Sequence, residues 1–318
     1  MRKRTISLLL AVIALCTILV SCGKAPDTPT TTEATTPMNI MQKTDPAQDD
    51  SLNILMIGSS FCYYYVEELY GMLTAAGYKN VNVCNVYQSG CPLESHWQWW
   101  KSGEANYYYY TTNENGRNEV YPANLEYCLK QRNWDVISLQ ESSSRVRNSG
   151  VQAHVALTRT YLTDLWGYLK EQFPMARHMW HQTWAYQIGY DRGGYKMESS
   201  AQQDTDTQSM KEYSIAVCNE YDLERINSGE AWQIVRQGGY DNLCARMAVN
   251  SGEGDYYHEG DIGGGQYLNA CVWFEIITGQ SCIGNTYRPN YALDEALIPT
   301  LQEAAHKAVA QRNAESSN

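Results

Sequence analysis

Leu52-Asn53-Ile54-Leu55-Met56-Ile57-Gly58, followed at once by Ser59-Ser60-Phe61-Cys62, is the stretch on which the fold turns. A short, almost wholly apolar run closed by glycine reads as a strand buried on both faces. Outward from it, helical and extended patterns alternate. Val66 to Ala76 has a helical period stopped by Gly77, and Val81–Tyr87 is a second strand ending in a loop at Gln88–Pro92. Asn124 to Arg132 predicts a helix before the strand Trp134–Leu139, and Val151 to Phe173 a long helix before Pro174. Arg177–Trp184 alternates as a strand, Ala201 to Tyr221 reads as a helix, and Leu223–Asn227 as a short last strand. Gly263 to Thr278 and Leu293 to Val309 close the chain as helices. Strands separated by helices predict a three-layer α/β/α sandwich on a central, mostly parallel five-stranded sheet.

The start of the chain has a different character. Arg2-Lys3-Arg4, the apolar run Ile6 to Val20, and Leu19-Val20-Ser21-Cys22 follow the layout of a secretory signal. Leu-Val-Ser-Cys before Gly23 resembles a bacterial lipobox, which implies cleavage before Cys22 and lipidation of that residue. Such an anchor holds a protein at a membrane without spanning it. The expected organisation is a signal peptide over 1–21, a tether over 22–50, a folded domain over 51–312 and a tail over 313–318. The tether is rich in Thr and Pro and lacks aromatic residues, so it cannot bury enough surface to fold. The expected location is extracytoplasmic, lipid-anchored to a bacterial membrane.

Composition narrows the partners. A formal charge of −11 argues against nucleic acid, whose binding would have to overcome the average field. Beyond Cys16 and Cys22 the cysteines are Cys62, Cys84, Cys91, Cys128, Cys218, Cys244, Cys271 and Cys282. Their even number permits disulfides in an exported chain, while their apolar surroundings suit buried thiols equally. With no Cys-x-x-Cys pair, a zinc ribbon is disfavoured.

In open parallel sheets, ligands collect beyond the carboxyl ends of the strands. Ser60 follows the first strand, Gly90 the second and Gln140 the third, and His181 falls near the end of the fourth. Far downstream, Asp255-Tyr256-Tyr257-His258 offers a histidine with a carboxylate three residues before it. A serine hydroxyl needs a base to become a nucleophile, and that base needs a group to hold its tautomer.

Four blocks in order carry a family resemblance: Gly58-Ser59-Ser60-Phe61-Cys62, Ser89-Gly90-Cys91-Pro92-Leu93, Trp134 to Glu141, and Asp255 to His258. Together they resemble the SGNH, or GDSL-like, hydrolase superfamily, in a branch whose first block reads Gly-Asn-Ser-Phe-Ser. The resemblance implies the flavodoxin-like fold of that superfamily and Ser60, His258 and Asp255 as its catalytic residues. It further implies an oxyanion hole built from the Ser60 and Gly90 N–H groups and the Gln140 side chain, with no cofactor. Two positions depart from the pattern. Ser59 replaces the usual Asp or Asn, and Gln140 stands where the superfamily has Asn, so its extra methylene must be absorbed by the backbone. The Gly-x-Ser-x-Gly elbow of α/β-hydrolases is missing.

Plainer readings exist for each residue. Ser60 alone suits a turn or helix cap, and His258 alone a surface histidine. Asp255, Glu259 and Asp261 offer oxygen ligands to calcium but lack the regular spacing, so no metal is expected. His181 and Glu141 suit a site wall or, respectively, a packed core histidine and a helix cap. Tyr 25 and Trp 9 against Phe 3 favours stacking on wet surfaces and sugar rings. Trp97, Trp99, Trp100 and Tyr107–Tyr110 cluster near the expected site, either as a glycan platform or as ordinary packing. The expectation is an exported serine carboxylesterase acting on a small-molecule or glycan ester, with O-acetylated carbohydrate the favoured class. Its alternative is a glycan-binding lipoprotein on the same fold, catalytically weak or inactive; a less favoured third is an acyltransferase using the same serine.

Overall fold

A computed structural model describes residues 51–192, 194–247 and 255–316. The expected signal peptide, Cys22 and the tether lie outside these residues. Among the described residues, no helix is long and apolar enough to cross a membrane.

Among the described residues the central sheet has seven strands. In chain order they are β1 (Leu52–Gly58), β2 (Val81–Tyr87), β3 (Tyr107–Asn113), β4 (Gly116–Ala123), β5 (Val136–Gln140), β6 (Arg177–His181) and, after a short β7–β8 hairpin (Asp191–Arg192, Tyr195–Lys196), β9 (Glu224–Ile226). Their spatial order is β4-β3-β2-β1-β5-β6-β9. The pairs β2–β1, β1–β5, β5–β6 and β6–β9 are parallel, so the five expected parallel strands are present in the doubly wound order. The correction to the five-stranded expectation is an added antiparallel hairpin, β3–β4, on the β2 edge. Tyr107-Tyr108-Tyr109-Tyr110-Thr111-Thr112 is aromatic and β-branched, which suits a strand. The Asn113 side chain accepts from the Asn115 N–H at 2.9 Å and so turns the chain into β4.

The central strands alternate between two apolar layers. Ile54 and Met56 of β1 face one, Leu55 and Ile57 the other. The first layer is covered by α1 (Val66–Ala75), α7 (Ser228–Gln237), α8 (Gly265–Thr278) and α9 (Ile298–Ser316). The second is covered by α2 (Leu93–Ser102), α3 (Leu125–Leu129), α5 (Val151–Gln172) and α6 (Ser200–Tyr221), with α4 (Ser143–Ser149) between β5 and α5. This is the expected three-layer α/β/α arrangement. Helix α9 runs past residue 312 to Ser316, and Glu315 pairs there with Lys211 and Arg225.

All eight cysteines from Cys62 to Cys282 are buried free thiols, so the bridges that the sequence permits are not formed. Burial pushes the Cys62 thiol up to about 12, which keeps it protonated.

Candidate active site

Parallel strands put their carboxyl ends on one edge, and the candidate residues gather there. Ser59 and Ser60 follow β1, with Ser60 opening the 3-10 turn Ser60–Cys62. Gly90 follows β2 in a turn closed by the Cys91 N–H donating to the Gln88 carbonyl. Gln140 and His181 are the last residues of β5 and β6 and are register partners. Ser228 follows β9 and opens α7.

The segment from Asp255 reaches this edge from elsewhere in the chain and is pinned to the polypeptide beyond β6. Trp184 Nε1 donates to the Tyr257 carbonyl at 2.6 Å, and the Gln187 N–H to the Tyr256 carbonyl at 2.5 Å. Tyr256 sits at φ +65, a left-handed conformation that an aromatic residue adopts only under constraint. That turn folds Asp255 back beneath His258. The Asp255 carboxylate accepts from the Tyr257 and His258 N–H groups at 3.0 Å each, from the Glu259 N–H at 2.6 Å and from His258 Nδ1. Burial alone would raise the Asp255 pKa, but the ring and backbone donors outweigh it and hold the carboxyl below its ordinary range.

With Nδ1 engaged, His258 has Nε2 left for chemistry. Its ring lies over the turn that carries Ser60, with centroids 5.9 Å from Phe61 and 4.6 Å from Tyr64. Ser60, next to Phe61 in that turn, and His258 are 9% and 7% exposed. No hydrogen bond joins the Ser60 hydroxyl to the ring in this conformation. Ser60 is the first residue of its turn, so its N–H has no partner within it. Gly90, just past the end of β2, is exposed and sits at φ +63.

Gln140 is held differently from a free donor. It is 2% exposed, and its Nε2 donates to the Ser59 hydroxyl at 2.9 Å. Its extra methylene fits because Gly58 has no side chain: a Cβ there would lie 2.6 Å from Gln140 Cγ. The second Nε2 hydrogen stays available. His181 is not a site wall. At 1% exposure it lies beneath the site, 3.2 Å from Gln140 Oε1 and 3.0 Å from Ser228 Oγ. Glu141 is not at the wall either. Its carboxylate accepts from the Ser142 N–H at 2.7 Å at the start of α4 and lies 3.5 Å from His154 Nε2, both side chains being buried.

Donor atoms of Asp255, His258 and Glu259 lie within 4.8 Å of one another, a spacing a cation could use. The Asp255 lone pairs, however, are taken by three N–H groups and an imidazole, and Glu259 is paired with Arg246. Asp261 accepts from the Met247 and Ile262 N–H groups at 2.9 Å each. This donor set describes a held histidine better than a metal cage.

The tryptophans are not at the site. Trp97 donates to Asp164 at 3.0 Å, and Trp100 packs on Tyr168 at 4.8 Å, so both seat α2 against α5. What the sequence missed lies in the contacts. Tyr64, four residues beyond Ser60, covers His258, and Ser228 follows a strand just as Ser60 does.

Residues 53–308 match the family described as domain of unknown function (DUF4886), and the chain belongs to that family. A crystal structure of a DUF4886 family protein from Bacteroides uniformis is similar at TM-score 0.70 and 28% identity, covering 82% of this chain and 95% of that one. An acetyl xylan esterase is similar at TM-score 0.45 and 11% identity, covering 70% and 98%. An acetylxylan esterase from Geobacillus stearothermophilus, solved as a catalytic mutant, is similar at TM-score 0.43 and 15% identity, covering 76% and 97%. No curated protein sequence matches this chain.

Proposed function

We propose that this protein is an exported, lipid-anchored serine carboxylesterase that removes acetyl groups from O-acetylated carbohydrate. The observation that carries the reading is the Asp255–His258 pair seated over the turn that begins with Ser60. His258 Nε2 takes the Ser60 proton as the hydroxyl oxygen attacks the ester carbonyl. The oxyanion is met by the N–H groups of Ser60 and Gly90 and the remaining Gln140 N–H, each such donor worth ~3 kcal/mol. Collapse expels the sugar alcohol, which receives the proton from His258; water then repeats the cycle and releases acetate. A turn of His258 or Ser60 within hydrogen-bonding reach completes the approach, since catalytic contacts often tighten only with substrate bound.

The carbohydrate half of the reading rests on tyrosines. Tyr63, in the segment after Ser60, stacks on Tyr87 at 4.6 Å, Tyr87 meets Tyr108 of β3 at 6.2 Å, and Tyr108 stacks on Tyr121 of β4 at 4.1 Å. Rings with an apolar face and a polar tip suit sugars. The missing Ser60–His258 hydrogen bond favours a second reading, a glycan-binding protein with little turnover.

Acetate release from O-acetylated polysaccharides by wild type and Ser60→Ala separates the two. Release lost in the variant, with fluorophosphonate labelling of wild type only, supports the esterase; equal rates rule it out. Loss of the membrane-bound fraction in Cys22→Ala tests the anchor.

A further inference from the structure

We propose that the Ser59 hydroxyl is a further hydrogen-bond donor to the acyl oxygen, and that His181, acting through Gln140, is its positioning residue. This deepens the esterase reading and rests on it. Four buried side chains form one line: Ser228 Oγ to His181 Nε2 at 3.0 Å, His181 Nδ1 to Gln140 Oε1 at 3.2 Å, and Gln140 Nε2 to Ser59 Oγ at 2.9 Å. Their chemistry fixes a direction. An amide nitrogen only donates, so Ser59 Oγ accepts; an amide oxygen only accepts, so His181 Nδ1 carries the ring proton. Burial pushes the His181 imidazole down to about 3, which leaves it neutral, with Nε2 bare to accept from Ser228.

The opposite polarity would flip the amide and leave the Ser228 hydrogen unpaired at 0% exposure, where an orphaned donor is costly. In the polarity described, the hydrogens left without a partner in the line are the Ser59 hydroxyl hydrogen and the second Gln140 Nε2 hydrogen. Ser59 adjoins the nucleophile, and its hydroxyl makes no other hydrogen bond among the described residues. Bonds aligned head to tail polarise one another, which strengthens the terminal donor. The Tyr65 hydroxyl oxygen, 3.4 Å from His181 Nδ1, is a second neighbour of that nitrogen, and in this polarity it accepts from it.

The test measures kcat and KM for p-nitrophenyl acetate with wild type, Ser59→Ala and Ser59→Cys, and the 15N NMR signature of His181 in the wild-type protein. Ser59→Ala is expected to lose about 100-fold in kcat with KM nearly unchanged. Ser59→Cys keeps the shape but donates weakly, so it should also lose kcat, and it serves if the alanine variant fails to fold. The ring should be protonated on Nδ1 only and should not titrate between pH 5 and 8. Wild-type kcat in either variant, or a proton on Nε2, would overturn the proposal. Inert wild type that also resists fluorophosphonate would instead sink the esterase reading, while the tautomer still reports which end of the line holds the unused hydrogen.

Discussion

Asp255 grips His258 twice, taking hydrogen bonds from both its ring Nδ1 and its backbone N–H, so the ring and the main chain behind it are fixed by one carboxylate. Asp255→Asn removes the charge and sets an amide against the ring proton, which favours the wrong tautomer. A loss of about 10³- to 10⁴-fold in kcat is expected with the fold intact. A loss below tenfold, with unchanged circular dichroism, would remove Asp255 from the mechanism.

The same carboxylate sets a pH dependence of stability. Its folded pKa lies below the ordinary value despite burial, because the imidazole and backbone donors outweigh the desolvation. The sign follows: the contribution is complete above the unfolded carboxyl pKa of about 4 and is lost as pH falls through the depressed folded value. Urea unfolding of wild type and Asp255→Ala should therefore converge on acidification. A gap that stays constant from pH 6 to pH 3 would contradict this.

Gly58→Ala tests how a glutamine can occupy the asparagine position. The new methyl would meet Gln140 Cγ at 2.6 Å and Cδ at 2.7 Å, inside a buried strand end that cannot easily yield. Overpacking of this kind costs about 1–3 kcal/mol. Activity should fall with stability, because the displaced amide is the one that holds Ser59. A variant as stable and active as wild type would show that Gln140 has room elsewhere.

The parallel core was legible because strands buried on both faces are near-continuous apolar runs, as Ile54–Ile57 is and as Val136–Leu139 is but for Ser138. The edge rule then placed Ser60, Gly90, Gln140 and His181 on one side of the sheet. The β3–β4 hairpin was hidden because Tyr107–Tyr110 shows no apolar alternation, only β-forming residue types. For His181 and Glu141 the sequence left two readings open, a site wall or, respectively, a packed histidine and a helix cap, and strand position could not choose between them. Both end or follow a strand at the site edge, yet their side chains turn inward, to Ser228 and His154 respectively. Position along a strand gives the edge, whereas side-chain direction depends on partners far apart in the chain.

Glu68 on α1 is 3% exposed, and burial pushes its carboxyl up to about 8. Raised above its unfolded value, it binds a proton in the native state that the unfolded chain releases. Stability should therefore fall as pH rises between roughly 4.3 and 8, by at most about 1.4 kcal/mol per pH unit from this group. Glu68→Gln keeps the shape without the charge and should flatten that slope, leaving the variant the more stable form above pH 7. Parallel urea midpoints for the two proteins from pH 5 to 8 would refute it.

Trp99 and Tyr108 lie close in sequence but serve different ends. Trp99 packs edge-on against buried Tyr107 at 5.4 Å, inside the layer between α2 and the sheet. Trp99→Ala should lower stability by about 2 kcal/mol, less than a fully buried tryptophan, and leave KM alone. Tyr108 is half-buried and links Tyr87 to Tyr121, which is 53% exposed. Tyr108→Ala should raise KM for an O-acetylated polysaccharide several-fold while p-nitrophenyl acetate turnover is unchanged, because only a polymer reaches from Ser60 to the hairpin. Equal effects on both substrates would make the tyrosines scaffold rather than a sugar-binding surface, whatever the fate of Ser60.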